Sequence, residues 1–193
     1  MHPRSAPFIP VLLAAALAAP LCPPEPARAT TVVPLAVEDL TQLASDVVLG
    51  TVTRVTSERS PDRSQIFTYV TLSDSRRLKG EGGTELTFVL WGGRVGDDIL
   101  RVDGSPGFSP GEQVVVFLGR LMSRTPLTRD VDGWLLGLAN GKWSVARDPA
   151  TGRLTARSGA PGRERALPLA DLTNRITNAI RDAESNLIRG EGR

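Results

Sequence analysis

The chain has 193 residues, with 23 Lys and Arg against 21 Asp and Glu, and a formal net charge of +2. Such a balance is not that of a polycation, so the charge gives no argument for a nucleic-acid partner. The single His and the single Cys are His2 and Cys22, so thiol and imidazole chemistry is confined to the first residues of the chain.

Residues 1–29 have the order of a secretory signal peptide. Arg4 precedes an apolar run from Phe8 to Leu21, and a Pro-rich spacer then ends in Ala27-Arg28-Ala29. The run is too short and too interrupted by proline to serve as a membrane anchor, and no later segment is apolar for long enough. We therefore expect an exported protein, periplasmic or extracellular, that is cleaved near Ala29 and has no stable membrane insertion.

Residues 30–193 suit a single domain with one core. Apolar residues at helical spacing predict a short helix from Val37 to Ala44. Runs rich in β-branched residues, separated by Gly, Pro, Asp and Ser, then predict strands. These strands cover residues 46–58, 66–79, 84–92 and 113–121, with a weaker one at 98–104.

The strand at 113–121 is apolar on both faces, which places it in the middle of a sheet or barrel. Two turn signals follow it, Asn140-Gly141 and the stretch from Asp148 to Gly152, and they predict an antiparallel meander. An apolar stripe from Pro168 to Ile188 predicts a final amphipathic helix, which we expect to pack over the barrel mouth.

Several short motifs fall short of a catalytic or metal site. Gly137 to Lys142 lacks the spacing of a phosphate-binding loop, and a turn explains it better. Asp130 and Asp132 resemble the start of a calcium loop, but its twelfth position is Gly141, so a loop or turn is the better interpretation. The sequence therefore predicts no metal and no cofactor.

Two further pairs of residues are of types that can serve in catalysis. Asp97 and Asp98 are adjacent, and neighbouring side chains on a strand point to opposite faces, so they cannot flank one bond. Ser75 stands four residues before Lys79 in a segment of strand and turn, where that spacing does not build a dyad. Carboxylate chemistry remains open, but the sequence favours a protein that is not an enzyme.

Four aromatic residues lie on the predicted strands: Phe67, Tyr69, Phe88 and Trp91. They would suit a base-stacking platform on an oligonucleotide-binding barrel. Core packing is the simpler interpretation, because Phe88 alternates with apolar neighbours on one strand face.

The order of these segments carries a resemblance. A short helix is followed by SDVVLGTVTRV, a strand ending in RRLKG, then TELTFVL, a Gly-rich hairpin, PGEQVVVFLGRL and a closing helix. This order is similar to the netrin-like module of tissue inhibitors of metalloproteinases, and to exported bacterial proteins of unknown function. The resemblance implies an all-β fold: a closed five- or six-stranded barrel of oligonucleotide-binding type, with a short N-terminal helix and a C-terminal amphipathic helix.

The predicted function is an exported, non-enzymatic module that binds another protein. The resemblance also implies an alternative, in which the mature chain inhibits a zinc metalloprotease. The α-amine and carbonyl of Thr30 would then chelate the metal while Thr31 and Val32 extend along the substrate groove. The eukaryotic inhibitors begin with a disulfide-held Cys, whereas the single Cys of this chain, Cys22, lies in the predicted leader, so the predicted mature chain has none. A carboxylate-based hydrolase is the second alternative.

Overall fold

A computed structural model of the chain describes residues 35–121, 128, 130–159 and 164–190, with side chains through 188. The fold is mostly β, with one helix at each end of the described chain, as the sequence predicts. The helices are α1 (Val37–Leu43) and α2 (Leu169–Gly190). The strands are β1 (Asp46–Arg59), β2 (Ile66–Lys79), β3 (Leu86–Trp91), β4 (Gly93–Val95), β5 (Asp98–Leu100), β6 (Gln113–Gly119), β7 (Gly133–Leu135), β8 (Lys142–Arg147), β9 (Leu154–Ser158) and β10 (Arg165–Pro168).

Five strands form a ring of hydrogen-bonded pairs. Neighbours run from β1 through β2, β3, β7 and β6, and β6 pairs again with β1. All of these pairs are antiparallel except β3 with β7, which is parallel. β8, β9 and β10 extend the sheet from the other edge of β6, and β4 and β5 form a separate two-stranded ribbon.

β6 lies between two hydrophobic cores. Val114, Val116 and Leu118 belong to the core inside the ring, whereas Val115 and Phe117 belong to a second core outside it. All five side chains are fully buried. This confirms the prediction of a central strand, because a strand can be apolar on both faces only where both faces are covered.

The outer core joins the ring to the helices and to β8 and β9. Leu172 and Ile176 of α2 pack with Leu40 of α1 against Phe117 and Trp143. Helix α2 therefore lies against the side of the ring, and the expectation that it covers the barrel mouth is wrong. The apolar stripe of α2 packs against outward side chains of β1 and β6, such as Val47 and Val115. The side chains that point into the ring belong to the other core.

Single side chains tether the ends of this outer layer. Lys79 Nζ donates to the carbonyl oxygens of Thr41 (2.7 Å), Gln42 (3.4 Å) and Ala44 (2.6 Å), which lie at the end of α1. These carbonyls have no intrahelical donor, so the ammonium group caps the helix. Burial lowers the pKa of Lys79, and the nearby Asp46 carboxylate opposes part of that shift.

Arg165 of β10 holds the first described residue. Its Nη1 donates to the Leu35 carbonyl oxygen at 2.8 Å, and its Nη2 donates to Asn140 Oδ1 at 3.3 Å. The guanidinium carbon lies 5.3 Å from the centre of the Trp143 ring, within the range of a cation–π contact. One side chain thus connects the start of the domain, a turn and the outer core.

The prediction of a two-residue hairpin at Asn140-Gly141 is wrong. These residues end a 3₁₀ helix, Leu138–Gly141, between β7 and β8. Both strands are antiparallel to β6, so β7 and β8 run in the same direction and cannot form a hairpin with each other. The second turn signal is confirmed, because Asp148 to Gly152 joins β8 to β9 as an antiparallel pair.

Candidate functional site

The outer surface of the ring has two different sides. On β6 and the first part of β1 the outward residues Val47, Leu49, Val115 and Phe117 belong to the outer core or pack against it. On the second part of β1 the outward residues Arg54, Thr56 and Glu58 are exposed. On β2, β3 and β7 the outward residues include Thr71 and Thr87, which are cross-strand partners. The other five are Phe67, Tyr69, Val89, Trp91 and Trp134, and none of these five belongs to either core cluster. We refer to these five residues as the aromatic face.

Strand register places the aromatic face on one side of the sheet. Phe67 is the cross-strand partner of Trp91, Tyr69 is the partner of Val89, and Val89 is the partner of Trp134. Directly opposed side chains on a sheet lie about 5 Å apart and share a face. The alternate residues of β2 and β3, such as the pair Val70 and Phe88, point into the ring.

The four aromatic residues weighed in the sequence therefore divide between two environments. Phe88 is fully buried in the inner core, which confirms core packing for that residue. Trp91 is 67% exposed, so core packing is wrong for it. Phe67 and Tyr69 are half-buried on the outer face. Burial, followed by the charge of Glu58, raises the pKa of Tyr69.

Trp134 was missed by the sequence analysis, and it is held in place by a glycine. It is 47% exposed, and its Nε1 donates to the Arg120 carbonyl oxygen at 3.2 Å. A Cβ atom on its strand partner Gly119 would lie 2.7 Å from that nitrogen. The indole therefore packs against bare backbone, which only glycine provides.

A pocket of about 530 Å³ opens at one end of the ring and shares Trp91 with the aromatic face. Its apolar walls include Val55, Leu90, Ile99 and Phe108. Val55, Leu90 and Phe108 pack against the inner core, so the pocket lies at an open end of the ring. We call it the mouth pocket. Its volume is within the usual range for sites that take small ligands or side chains.

Two glycines shape the mouth pocket. Gly92 and Gly93 have φ of 93° and 143°, and they turn the chain from β3 into β4 directly after Trp91. A Cβ on Gly93 would collide with the hydroxyl groups of Ser57 and Thr68. Those hydroxyls bond to each other at 2.9 Å, and Thr68 Oγ1 donates to the Gly92 carbonyl oxygen at 2.6 Å. The β4–β5 ribbon is thereby fixed against the end of the ring.

Phe108 closes the other side of the pocket. Its ring meets Phe88 edge to face, with centroids 5.3 Å apart. Lys142 Nζ lies 4.5 Å from the Phe108 centroid and donates to the Gly107 carbonyl oxygen at 2.5 Å. The same ammonium group forms an ion pair with Glu112 at 2.7 Å. Phe108 is therefore held in place by its contact with Phe88 of the inner core and by Lys142, whose charge is paired with Glu112.

The residues proposed for inhibition, Thr30, Thr31 and Val32, lie outside the described residues. Leu35, the first described residue, packs against the outer core. The inhibitor mechanism stays a prediction.

The weaker motifs have structural roles. Asp98 forms an ion pair with Arg59. Asp132 Oδ2 accepts a hydrogen bond from the Thr87 backbone nitrogen at 2.8 Å. Lys79 is engaged in capping α1, away from any dyad with Ser75. Within the described part of the chain, no group of three or more His, Cys, Asp and Glu side chains could hold a metal ion.

The mouth pocket has little equipment for acid–base chemistry. Asp103 is the one carboxylate in its described lining, so two facing acids are not found there. Elsewhere, Arg175 lowers the pKa of Glu38, the hydroxyls of Ser60 and Ser64 lower that of Asp62 to about 2, and backbone amides lower that of Asp148. These three carboxyl groups are therefore ionised at neutral pH and are not proton donors.

Comparison of the chain with protein-family models, with curated proteins and with solved structures gave no significant match. Among the helices that the structure describes, none combines the length and the apolar character that crossing a membrane requires.

Proposed function

We propose that this chain is an exported, non-enzymatic module that binds another protein through the aromatic face and the mouth pocket. The observation that carries the proposal is Trp91, which is 67% exposed and belongs to both surfaces. Exposed Trp and Tyr side chains that are grouped on one patch are typical of protein interfaces, where a few such residues supply most of the binding energy.

The asymmetry of the ring supports this location. Its β6 side, with the first part of β1, is covered by the helices and by β8 and β9, whereas the β2, β3 and β7 side presents aromatic residues that neither core includes. A rigid sheet face holds such side chains at fixed spacing, which reduces the ordering cost of binding. The site is therefore preorganised for a partner.

We further propose that the ring is a closed barrel of oligonucleotide-binding, netrin-like type. The ring contains five strands, and a single parallel pair, β3 with β7, completes an otherwise antiparallel circuit. This pairing supports the proposal, as do the two helices at the ends of the domain. Architecture of this type serves many functions, so the binding role rests on the site.

Export follows from the leader at residues 1–29 and remains part of the proposal. Expression of the full chain, fractionation and amino-terminal sequencing would test it. We expect the processed protein outside the cytoplasm with Thr30 as its first residue.

Site-specific photo-crosslinking tests the binding surface. A benzophenone amino acid would replace Trp91 in one variant and Leu187 in a matched control, since Leu187 is a similarly exposed apolar residue on α2 (68%). We expect one defined adduct from exported proteins at position 91, absent at 187 and abolished by excess unlabelled wild-type protein. Equal labelling at both positions, or adducts that resist competition, would contradict the proposed surface.

A further inference from the structure

The β4–β5 ribbon beside the mouth pocket carries one apolar side chain between two cations. Arg94 is the cross-strand partner of Ile99, so both side chains point to the same face of the ribbon. Arg101 follows directly after the end of β5 and contributes to the lining of the same pocket. Ile99 is 47% exposed, and all three residues line the pocket.

The two cations differ from the neighbouring Arg59 in having no ion-pair partner among the described residues. Arg59, which also lies next to the ribbon, is neutralised by Asp98. Arg94 and Arg101 are exposed, and no ion pair or hydrogen bond of their side chains occurs within the described residues. Asp103 contributes the one negative charge of the described pocket lining. The described lining of the pocket therefore carries two positive charges and one negative charge, and neither arginine is paired with a carboxylate of the described chain.

An occupant of this site must match both properties. Apolar walls and the Trp91 indole favour an aliphatic or aromatic side chain. Planar guanidinium groups favour carboxylates, which they bind through paired hydrogen bonds. Trp91 belongs both to the pocket and to the aromatic face. An occupant that contacts both surfaces must therefore extend from the pocket along the sheet. An extended peptide segment has this shape, with side chains at regular intervals.

We infer that the mouth pocket recognises an extended segment of the partner protein in which an apolar anchor is flanked by acidic side chains. The anchor enters between Trp91, Ile99 and Phe108, and the flanking carboxylates bind Arg94 and Arg101. This inference rests on the proposed protein-binding function and adds the chemistry of the partner.

Fluorescence anisotropy with three labelled hexapeptide pools tests the inference. Each pool carries a central Leu, Ile or Phe, flanked on both sides by Glu in the first pool, Gln in the second and Lys in the third. We expect the full chain to bind the Glu pool at least tenfold more tightly than the Gln pool, and the Lys pool most weakly. Raising the salt concentration to 0.5 M should remove most of the preference, because exposed charges are then screened.

Variants separate the cations from the apolar anchor. The double substitution Arg94→Gln and Arg101→Gln should abolish the preference for Glu over Gln, whereas Arg181→Gln, an exposed arginine on α2, should leave it unchanged. Trp91→Ala should weaken binding of all three pools. Circular dichroism would establish that each variant is folded.

Three results would overturn the inference: no binding of any pool, equal binding of the Glu and Lys pools, or a Glu preference that survives the double substitution. The crosslinking experiment distinguishes these failures from failure of the proposed function. A competed adduct at position 91 with no Glu preference would leave protein binding intact and refute the acidic segment. Loss of that adduct would refute both.

Discussion

Replacing Val70 by Asp would place an ionisable group at the centre of the ring. Val70 is fully buried on β2, and its cross-strand partners are Val55 and Phe88. All three face the inner core or pack against it. A carboxylate at this position would have no cation within its layer of the ring, so the folded protein would favour the neutral acid.

Two contributions set the expected loss of stability. Removing a buried valine side chain from the core costs about 1.5–3 kcal/mol. Each unit by which burial raises the pKa of the new carboxyl adds about 1.4 kcal/mol, and a rise of about three units is ordinary for such a site. The total at pH 7 is therefore about 6 kcal/mol, which is comparable with the whole stability of many domains.

The pH dependence distinguishes the charge from the packing defect. A raised carboxyl pKa in the folded state leaves stability unaffected below the unfolded value of about 3.9, and the penalty grows as pH rises toward the folded value. Urea unfolding at pH 4 and pH 7, followed by circular dichroism, would compare Val70→Asp with the uncharged Val70→Asn. Thr56→Asp, at an exposed position on β1, is the surface control and should cost less than about 0.5 kcal/mol.

We expect Val70→Asp and Val70→Asn to differ little at pH 4 and by about 4 kcal/mol at pH 7. An Asp variant that unfolds like wild type, or one whose extra cost is the same at both pH values, would refute the placement of Val70 inside the ring.

Three further predictions address separate parts of the molecule. Gly119→Ala should push the Trp134 indole off the sheet and cost about 1 kcal/mol, seen as a change in near-ultraviolet circular dichroism; an unchanged spectrum would contradict the packing. Glu38→Gln should cost under about 1 kcal/mol at pH 7, because the pair with Arg175 is largely exposed. Since Arg175 lowers the pKa of Glu38 in the folded protein, that difference should be present in full above the ordinary carboxyl pKa and be lost as the pH falls from there through the lowered pKa of the folded state. The inhibitor alternative predicts that protein starting at Thr30 inhibits secreted zinc proteases only while its α-amine is free; inhibition that acetylation leaves unchanged, or none at micromolar concentration, would end this alternative.

Local patterns predicted most of the elements, though not β4 or β10, and did not predict most of the strand pairs. The run from Val114 to Leu118 indicated a strand covered on both faces, and the spacing in the last helix indicated its apolar stripe. Asn140-Gly141 misled because the preference for a tight turn is local, whereas the direction of β7 and β8 is set by their common partner β6. Tertiary pairing overrode the turn signal.

The candidate site could be predicted from local sequence patterns even less than the strand pairing. Alternation along β3 separates Phe88 from Trp91 by an odd number of residues and so assigns them to opposite faces. The sequence does not reveal which face is covered, because that depends on helices and strands far along the chain. Nor does it bring Arg94 and Arg101 together around Ile99, since this requires the register of the β4–β5 ribbon.

The tether from Arg165 to the Leu35 carbonyl spans 130 residues of sequence, and the ion pair from Arg175 to Glu38 spans 137. During translation the acceptors, Leu35 and Glu38, are synthesised long before the donors, Arg165 and Arg175. Helix α1 has only seven residues, too few to persist alone in water, and its apolar side packs with α2. During synthesis the contacts that Arg165 and Arg175 make with this end of the domain therefore form only once the last thirty or so residues have emerged. A chain truncated before β10 would lack Arg165 and Arg175 and would lose their contacts with Leu35 and Glu38. A deletion at the carboxyl-terminal end would therefore destabilise the amino-terminal end of the domain.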